Sequence, residues 1–448
     1  MKEQTDRRMM MNELAFSPLV PAYTQGTAAP GLYNCGGMTA DDRERNTPED
    51  CPMQLITGTD AEAYTDYIAK CTDNGFSLTY THESSAVRAS QLEKDGVRIY
   101  VIFTKQSGEV RLIEDRAGVS LHTFSYCCEE DEPAQIVQYA LYYDPNNNVT
   151  DKTVNCGMLY IVRLADGKLF VMDGGHRYQC TEEAVAGLAA FMRRLSGTSE
   201  GEPVHIAAWY ITHAHGDHMA ACPRLLRKYP GQFVIERLMM NLPSYQTRPQ
   251  GYDPDIFVFK EAMRELSPDT MLLKLHTGQT ITLAKTQFEV LYTHEDAVCA
   301  EDPTKFPMRD FNCTSTILKM TTDGGTVMWL GDTNVELERL MTKVTSPEHW
   351  KADVVQIAHH CFNYLTTLYA WIDADYALMP NSYFGSHTPE NTPKLADVIS
   401  HLASEENIWY EEKTTAFRFE DGKFTVLYEE DCIGGEWDGV NLYGEKQK

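Results

Sequence analysis

Apolar residues recur along this chain in short runs broken by Gly, Asp, Asn and Pro, and the texture of the runs changes with position. From residue 133 onward most runs alternate or stay apolar over about four to eight residues, the pattern of strands buried on one or both faces. Strands are predicted over Ala134 to Tyr143, Gly157 to Leu164, Lys168 to Met172, Ile206 to Ile211, Met271 to Leu275, Thr280 to Leu283, Phe288 to Tyr292, Ser315 to Met320, Thr326 to Leu330, Val354 to Ala358 and Tyr376 to Met379. Ala165-Asp166-Gly167 and Asp421-Gly422 read as hairpin turns, the second inside a tail hairpin from Ala416 to Tyr428. Helical spacing marks Thr181 to Leu195 and Met219 to Tyr229, where Leu225, Leu226 and Tyr229 share a face. A further short helix, Ile256 to Leu266, sits in a polar, Pro-rich insertion over 241–271. Strands interleaved with helices predict an α/β (α+β) fold.

The first part of the chain differs. Residues 1–55 lack periodicity and are punctuated by Pro21, Pro30, Gly31, Gly36, Gly37, Pro48 and Pro52, which reads as an irregular arm. A helix follows, with Thr59 as N-cap, Glu62 completing a capping box, and Asn74-Gly75 closing it. Strand-like runs then cover Phe76 to Tyr80, Val97 to Thr104 and Glu109 to Ile113, the last two joined by Lys105-Gln106-Ser107-Gly108. The expected organisation is an arm over 1–55, a small α+β module over 56–130, and a main domain over 131–448.

Composition narrows the class. Apolar residues make up 43% of the 448, enough for a real core. The formal charge of −26 disfavours a long nucleic acid or a membrane surface as partner and leaves small molecules open. The amino-terminal stretch leads into no apolar segment, and no run is long enough to span a bilayer. The 12 cysteines are scattered without a C-x-x-C pair, so reduced thiols and a cytoplasmic location are expected.

Chemistry concentrates in Tyr210-Ile211-Thr212-His213-Ala214-His215-Gly216-Asp217-His218-Met219. Three histidines and an aspartate within six positions, directly after an apolar strand, point to a metal site. Imidazole nitrogen and carboxylate oxygen are the ligands that cations such as zinc prefer, and an irregular loop lets them converge. Three more apolar strands hand over to a residue of the same kind: Asp173, Asp332 and the pair His359-His360. Taken singly, Asp173 before two glycines reads equally as a turn residue, and Gly331-Asp332-Thr333-Asn334 as a helix N-cap. His276 and His294 read as ordinary surface or satisfied histidines.

Together these elements resemble the metallo-β-lactamase-fold hydrolases, whose H-x-H-x-D-H signature stands intact at His213 to His218; the resemblance spans roughly 133–430. It implies a four-layer αββα sandwich with metals at one edge. It also implies that Asp173 orients the loop, that Asp332 bridges two metals, and that His360 is the later histidine ligand. One site would hold His213, His215 and Asp332, and the other Asp217, His218, Asp332 and His360. The chain is further similar to ComEC-type hydrolase domains and phosphorylcholine esterases, through Asn312-Cys313-Thr314-Ser315 before the Gly-Asp strand and Asn381-Ser382-Tyr383-Phe384-Gly385-Ser386-His387-Thr388-Pro389. It departs from them at His359-His360-Cys361-Phe362, where a Gly-Ser pair is replaced, and at Met219-Ala220-Ala221, where two glycines usually stand. A third histidine for the first site has no counterpart; Asn312 lies near its place.

The resemblance implies a metal-dependent hydrolase that uses a hydroxide bridging two divalent ions, Zn2+ first and Mn2+ as the alternative. Asp217 would be both ligand and proton acceptor, while His359 and His387 would contact substrate phosphate or protonate the leaving group. Redox members of the fold carry H-x-E where His215 stands here, which favours hydrolysis. Lactamases typically have Cys where Asp332 stands. A phosphodiester or phosphoester is the expected substrate class. An ester, thioester or amide hydrolase is the alternative, and a non-catalytic metal-binding regulatory protein is the third reading.

Overall fold

The computed structural model describes residues 16–28, 52–115, 121–141, 157–242, 255–297, 311–402 and 404–432. Most of the arm, the stretch 142–156 that holds the end of the strand expected over Ala134 to Tyr143, and much of the 241–271 insertion lie outside these residues.

Side-chain alternation decides the layers of the main domain. In the hairpin Leu159–Arg163 and Leu169–Asp173, residues Leu159, Ile161, Leu169 and Val171 face one way while Tyr160, Val162, Phe170 and Met172 face the other. Both faces are apolar, so both need cover. The first face packs under helices Glu182–Ser196, Ala221–Lys228 and Asp255–Leu266 through Val185, Leu188, Leu225 and Phe259. The second meets Phe288, Leu318, Trp329, Val354 and Leu378 of another sheet. That sheet turns Met328, Val355, Ala377 and Met379 outward, beneath helices Val335–Val344, Thr366–Ile372 and Thr392–Ile399. Three stacked apolar layers therefore hold four layers of elements, α, β, β and α.

The first sheet runs in the order Met271–Lys274, Arg237–Met240, Val204–Tyr210, Leu169–Asp173, Leu159–Arg163, Gln135–Gln138, Lys413–Glu420, Lys423–Asp431, with Phe233–Ile235 beside Val204–Tyr210. The second runs Thr280–Leu283, Thr286–Tyr292, Ile317–Thr321, Thr326–Trp329, Val354–Gln356, Tyr376–Met379, Ile408–Tyr410. Each contains a block of parallel strands. In the first, Leu169–Asp173, Val204–Tyr210, Arg237–Met240 and Met271–Lys274 end together. In the second, Thr326–Trp329, Val354–Gln356, Tyr376–Met379 and Ile408–Tyr410 do the same. Loops leaving the carboxyl ends of parallel strands are where open α/β sheets place ligands. A bulge between Ile206 and Ala208 shifts the pairing of the strand that leads into His213. Ala207 and Ala208 consequently both face the inter-sheet core, and Trp209 returns to the helical side.

The small module is a six-stranded antiparallel sheet, Thr27–Ala28, Met53–Thr57, Glu109–Glu114, Val97–Thr104, Val87–Lys94, Ser77–Glu83, under helix Ala61–Asp73. Tyr64, Tyr67 and Cys71 of the helix pack on Leu92, Val101, Phe103 and Leu112. Its N-cap is Asp60, one residue later than expected: the Asp60 carboxylate accepts from the Ala63 N–H at 2.8 Å. The Thr59 hydroxyl is instead engaged by Tyr23 at 2.7 Å. Met53–Thr57 extends into the stretch read as irregular, and Val87–Lys94, Phe233–Ile235, Arg237–Met240 and Ile408–Tyr410 were not anticipated. The module docks on the second sheet through buried charge. The Arg111 guanidinium donates to the Glu295 and Asp296 carbonyls at 3.3 and 3.1 Å. His276 lies between Asp115 at 3.0 Å and Glu295 at 2.8 Å, all buried. His276 is thus a satisfied histidine, as expected. Every described cysteine is a free thiol. Among the described residues no helix is long and apolar enough to cross a membrane.

Candidate metal centre

Asp173 closes its strand with φ at +59°, a left-handed turn that aims its carboxylate sideways at the neighbouring loop. There it accepts from the Thr212 N–H and the Thr212 hydroxyl, both at 2.9 Å, and from His218 Nδ1 at 2.8 Å. Asp173 thus stands in a turn, as one reading had it, and its contacts to Thr212 and His218 are those an orienting role would use. With an ion bound, His218 would keep its Nδ1 proton for Asp173 and turn the lone pair of Nε2 inward; with none, the carboxylates around it favour a proton there as well. His360 reaches the same state by another route, donating from Nδ1 to the Pro380 carbonyl at 2.9 Å. The Thr212 hydroxyl, already donating to Asp173, receives His213 Nδ1 at 3.0 Å and leaves His213 Nε2 with its lone pair.

Asp332 arrives from the other sheet. Its N–H donates to the Ser315 hydroxyl at 3.1 Å, the use found for the last residue of Asn312-Cys313-Thr314-Ser315. Helix Val335–Val344 is capped by Asn334, not by Asp332, whose carboxylate is left for the centre. The two loops meet tightly at Gly331: a Cβ there would lie 2.9 Å from the Thr212 side chain, and φ is +56°. Only glycine allows that approach.

The ligand atoms fall into two groups, Asp217, His218, Asp332 and His360, and His213, His215 and Asp332, with all atoms of each group within 4.8 Å of one another. Asp332 Oδ2 lies 3.3 Å from His218 Nε2, 3.4 Å from His360 Nε2 and 3.8 Å from His213 Nε2. His213 Nε2 and His215 Nδ1 face each other at 3.1 Å. Two ligands at ~2.1 Å from a tetrahedral zinc stand about 3.4 Å apart, close to the separations of Asp332 from His218 and His360. The buried His218 Nε2, His360 Nε2 and Asp332 Oδ1 have no hydrogen-bond partner, which is the chemistry of a donor set facing cations. The residues fit two divalent ions.

Electrostatics agree. Burial would raise Asp332, yet His360 and His218 beside it hold its carboxyl well below the usual range. Burial would lower His218 and His360, yet Asp332 and the other carboxylates push both well above theirs. Positive charge is what this cluster attracts. His213 goes the other way, pushed well below the usual imidazole range by burial and by His218.

His359 belongs to neither group. Its Nε2 stands 4.0 Å from Asp332 Oδ2, and Asn312 and Asn363 hold its two nitrogens. His359, His360 and Cys361 all carry positive φ, from +48° to +65°, and this tight left-handed passage sends the two rings apart. With Asp217, 20% exposed, and His359, 24% exposed, the centre opens to solvent on one side. His387 is not brought into the cluster by any described contact: it stacks on Tyr383 at 3.8 Å and donates from Nδ1 to the Tyr383 carbonyl. Two contributors, Pro380 and Asn363, escaped the sequence reading, and Asn381, quoted there only as part of a resemblance, gains a use. Pro380 and Asn381 hold His360, the latter through its amide on the His360 carbonyl at 2.9 Å, and Asn363 holds His359.

A paired sandwich with the H-x-H-x-D-H loop at the strand ends of one sheet, and Asp332 and His360 at those of the other, is the arrangement that the resemblance to metallo-β-lactamase-fold proteins implies. No protein-family model matches the chain, and no curated protein matches it. Among solved structures it is similar to CmlA, a diiron β-hydroxylase from Streptomyces venezuelae, at 13% identity and a TM-score of 0.31 over 61% of this chain. That match spans about half of the hydroxylase, 52% of its length. It is also similar to the short form of human tRNase Z, at 12% identity and a TM-score of 0.28 over 55% of this chain and 90% of that one.

Proposed function

We propose that the protein is a metal-dependent hydrolase of phosphodiesters or phosphoesters. The observation that carries this reading is the pair of ligand groups sharing one oxygen of Asp332, open to solvent beside Asp217 and His359. Two divalent ions held there would supply Lewis acidity and a water of lowered pKa. Asp173 fixes the loop and the tautomer of His218, and Asp217 is the exposed carboxylate placed to take a proton. His359, held outside both groups by Asn312 and Asn363, would meet the substrate or its leaving group by exchanging one of those amide contacts. His387 has its Nε2 available for the same work if substrate extends towards Tyr383. His215, where a carboxylate would suit diiron chemistry, supports hydrolysis over oxidation. The phosphoester preference rests on the similarity to ComEC-type and phosphorylcholine esterase domains, whose Asn-x-x-Ser element here anchors Asp332.

The test is a panel of bis-p-nitrophenyl phosphate, p-nitrophenyl phosphorylcholine and p-nitrophenyl acetate, each with zinc and with manganese. Turnover of a phosphoester above the acetate is expected. Turnover of the acetate alone would replace this reading with an ester hydrolase, and no turnover with both groups metal-loaded would point to a regulatory metal protein.

A further inference from the structure

The parallel strands of the second sheet deliver, in order, Asp332, the pair His359-His360, and Asn381 at their carboxyl ends. The fourth, Ile408–Tyr410, delivers Glu411. The Glu411 N–H donates to the Asn381 carbonyl at 3.0 Å, and the Asn381 amide in turn clasps the His360 carbonyl. Glu411 is 5% exposed, yet neither oxygen of its carboxyl has a hydrogen-bond partner. Trp409 faces the core between the sheets, and Glu411, two residues on, leaves the strand on the same side.

Two neighbours share the deficit. Gln138 and Tyr160 are directly paired across their strands, so their side chains rise from one face of the first sheet, and Tyr160 packs in the inter-sheet core. Gln138 reaches across and donates from Nε2 to the Met379 carbonyl at 2.8 Å and the Trp409 carbonyl at 3.3 Å, beside the strand ends that lead to Asn381 and Glu411. Gln138 Oε1 and the Tyr160 hydroxyl, both buried, have no partner. Glu411 is the foremost charge acting on the Tyr160 hydroxyl, and His360 and His218 are the charges acting on Glu411. Buried oxygens without donors on strands that meet across the core are costly, and native proteins satisfy such groups with ordered water.

We propose that Glu411, Gln138 and Tyr160 line an internal hydration chamber between the two sheets, and that the Glu411 side chain is a positioning residue for His360, acting through that water. Water is the ligand that serves all three: it donates to Gln138 Oε1 and Glu411 and accepts from Tyr160. The positioning role rests on the metal centre proposed above; the chamber does not.

The test is a high-resolution crystal structure of the wild-type protein together with cobalt titrations of wild type, Glu411→Gln and Glu411→Leu, followed by visible absorption and thermal denaturation. Ordered water bonded to Glu411 and to Gln138 or Tyr160 is expected. E411Q keeps the water and binds cobalt within about twofold of wild type. E411L expels it and weakens the ion at the His360 group about tenfold, with a changed cobalt spectrum, the usual scale for lost support of a ligand. A dry chamber, or one filled by a cation, overturns the proposal. So does an E411L protein that melts lower but binds cobalt as wild type, since that is a packing role alone. If E411L does not fold, Gln138→Leu takes its place under the same criteria. Water in place with no cobalt bound at either group would uphold the chamber and overturn the dinuclear reading instead.

Discussion

At the scale of single residues, the centre turns on Asp332, the one side chain common to both ligand groups. Asp332→Ala should remove both ions at once, taking metal content from two per chain to none by elemental analysis. A variant retaining one full equivalent would show that the groups are independent. Cys361 makes a different point. It stands in the left-handed region at φ +65° and is fully buried, at the position where the ComEC-type domains that the sequence resembles place glycine. A side chain in that conformation costs about 1–2 kcal/mol, so two substitutions that both delete the thiol should separate in an unusual order. Cys361→Gly is expected to melt at or above Cys361→Ala, the reverse of the usual ranking. A glycine variant less stable than the alanine one would mean that the passage through His359 and His360 carries no strain at Cys361. The sequence showed the ligands here because histidine and aspartate are chemically conspicuous. It did not show Asn363 or Pro380, nor what Asn381 does, because an amide or a backbone carbonyl that steers an imidazole looks like any loop residue.

At the scale of elements, the sandwich was legible wherever period-two alternation survives, as in Leu159–Arg163 and Leu169–Asp173, or where the apolar run is continuous, as in Val204–Tyr210. Val87–Lys94 was hidden because Ser90 and Gln91 are buried polar residues, satisfied by Tyr64 and by Thr79 and Glu93, which breaks the apolar pattern without breaking the strand. Ile408–Tyr410 was hidden by being only three residues long, and Glu411 with it. The two ligand groups, drawn from three loops, are unequally furnished. One group has four ligand side chains and the other three, with Asn312 turned towards His359 where a further imidazole would sit. Calorimetric zinc titration should therefore resolve two steps, the tighter at Asp217, His218, Asp332 and His360. Two indistinguishable equivalents would refute the ranking.

At the scale of the whole molecule, the module and the sandwich are joined by His276. Burial alone would depress it, but Glu295 and Asp115 hold it up at about 9. A histidine raised above its unfolded value of about 6.5 contributes stability in full below that value and loses it as pH climbs through the folded one. The shift corresponds to on the order of 3 kcal/mol. Melting temperature should fall between pH 7 and 9.5, and His276→Gln, though less stable throughout, should show a flatter profile over that window. An equal slope in both proteins would remove His276 as the cause. The division of the centre between two sheets has a consequence of another kind. Synthesis runs from the amino terminus, so His213 to His218 leave the ribosome well before Asp332 and His360 exist, and domains assemble in that order. For that interval the nascent chain carries an exposed, incomplete chelate, able to pick up whichever ion the compartment offers first. The full sets of four and three donors exist only once Asp332 and His360 have joined that loop.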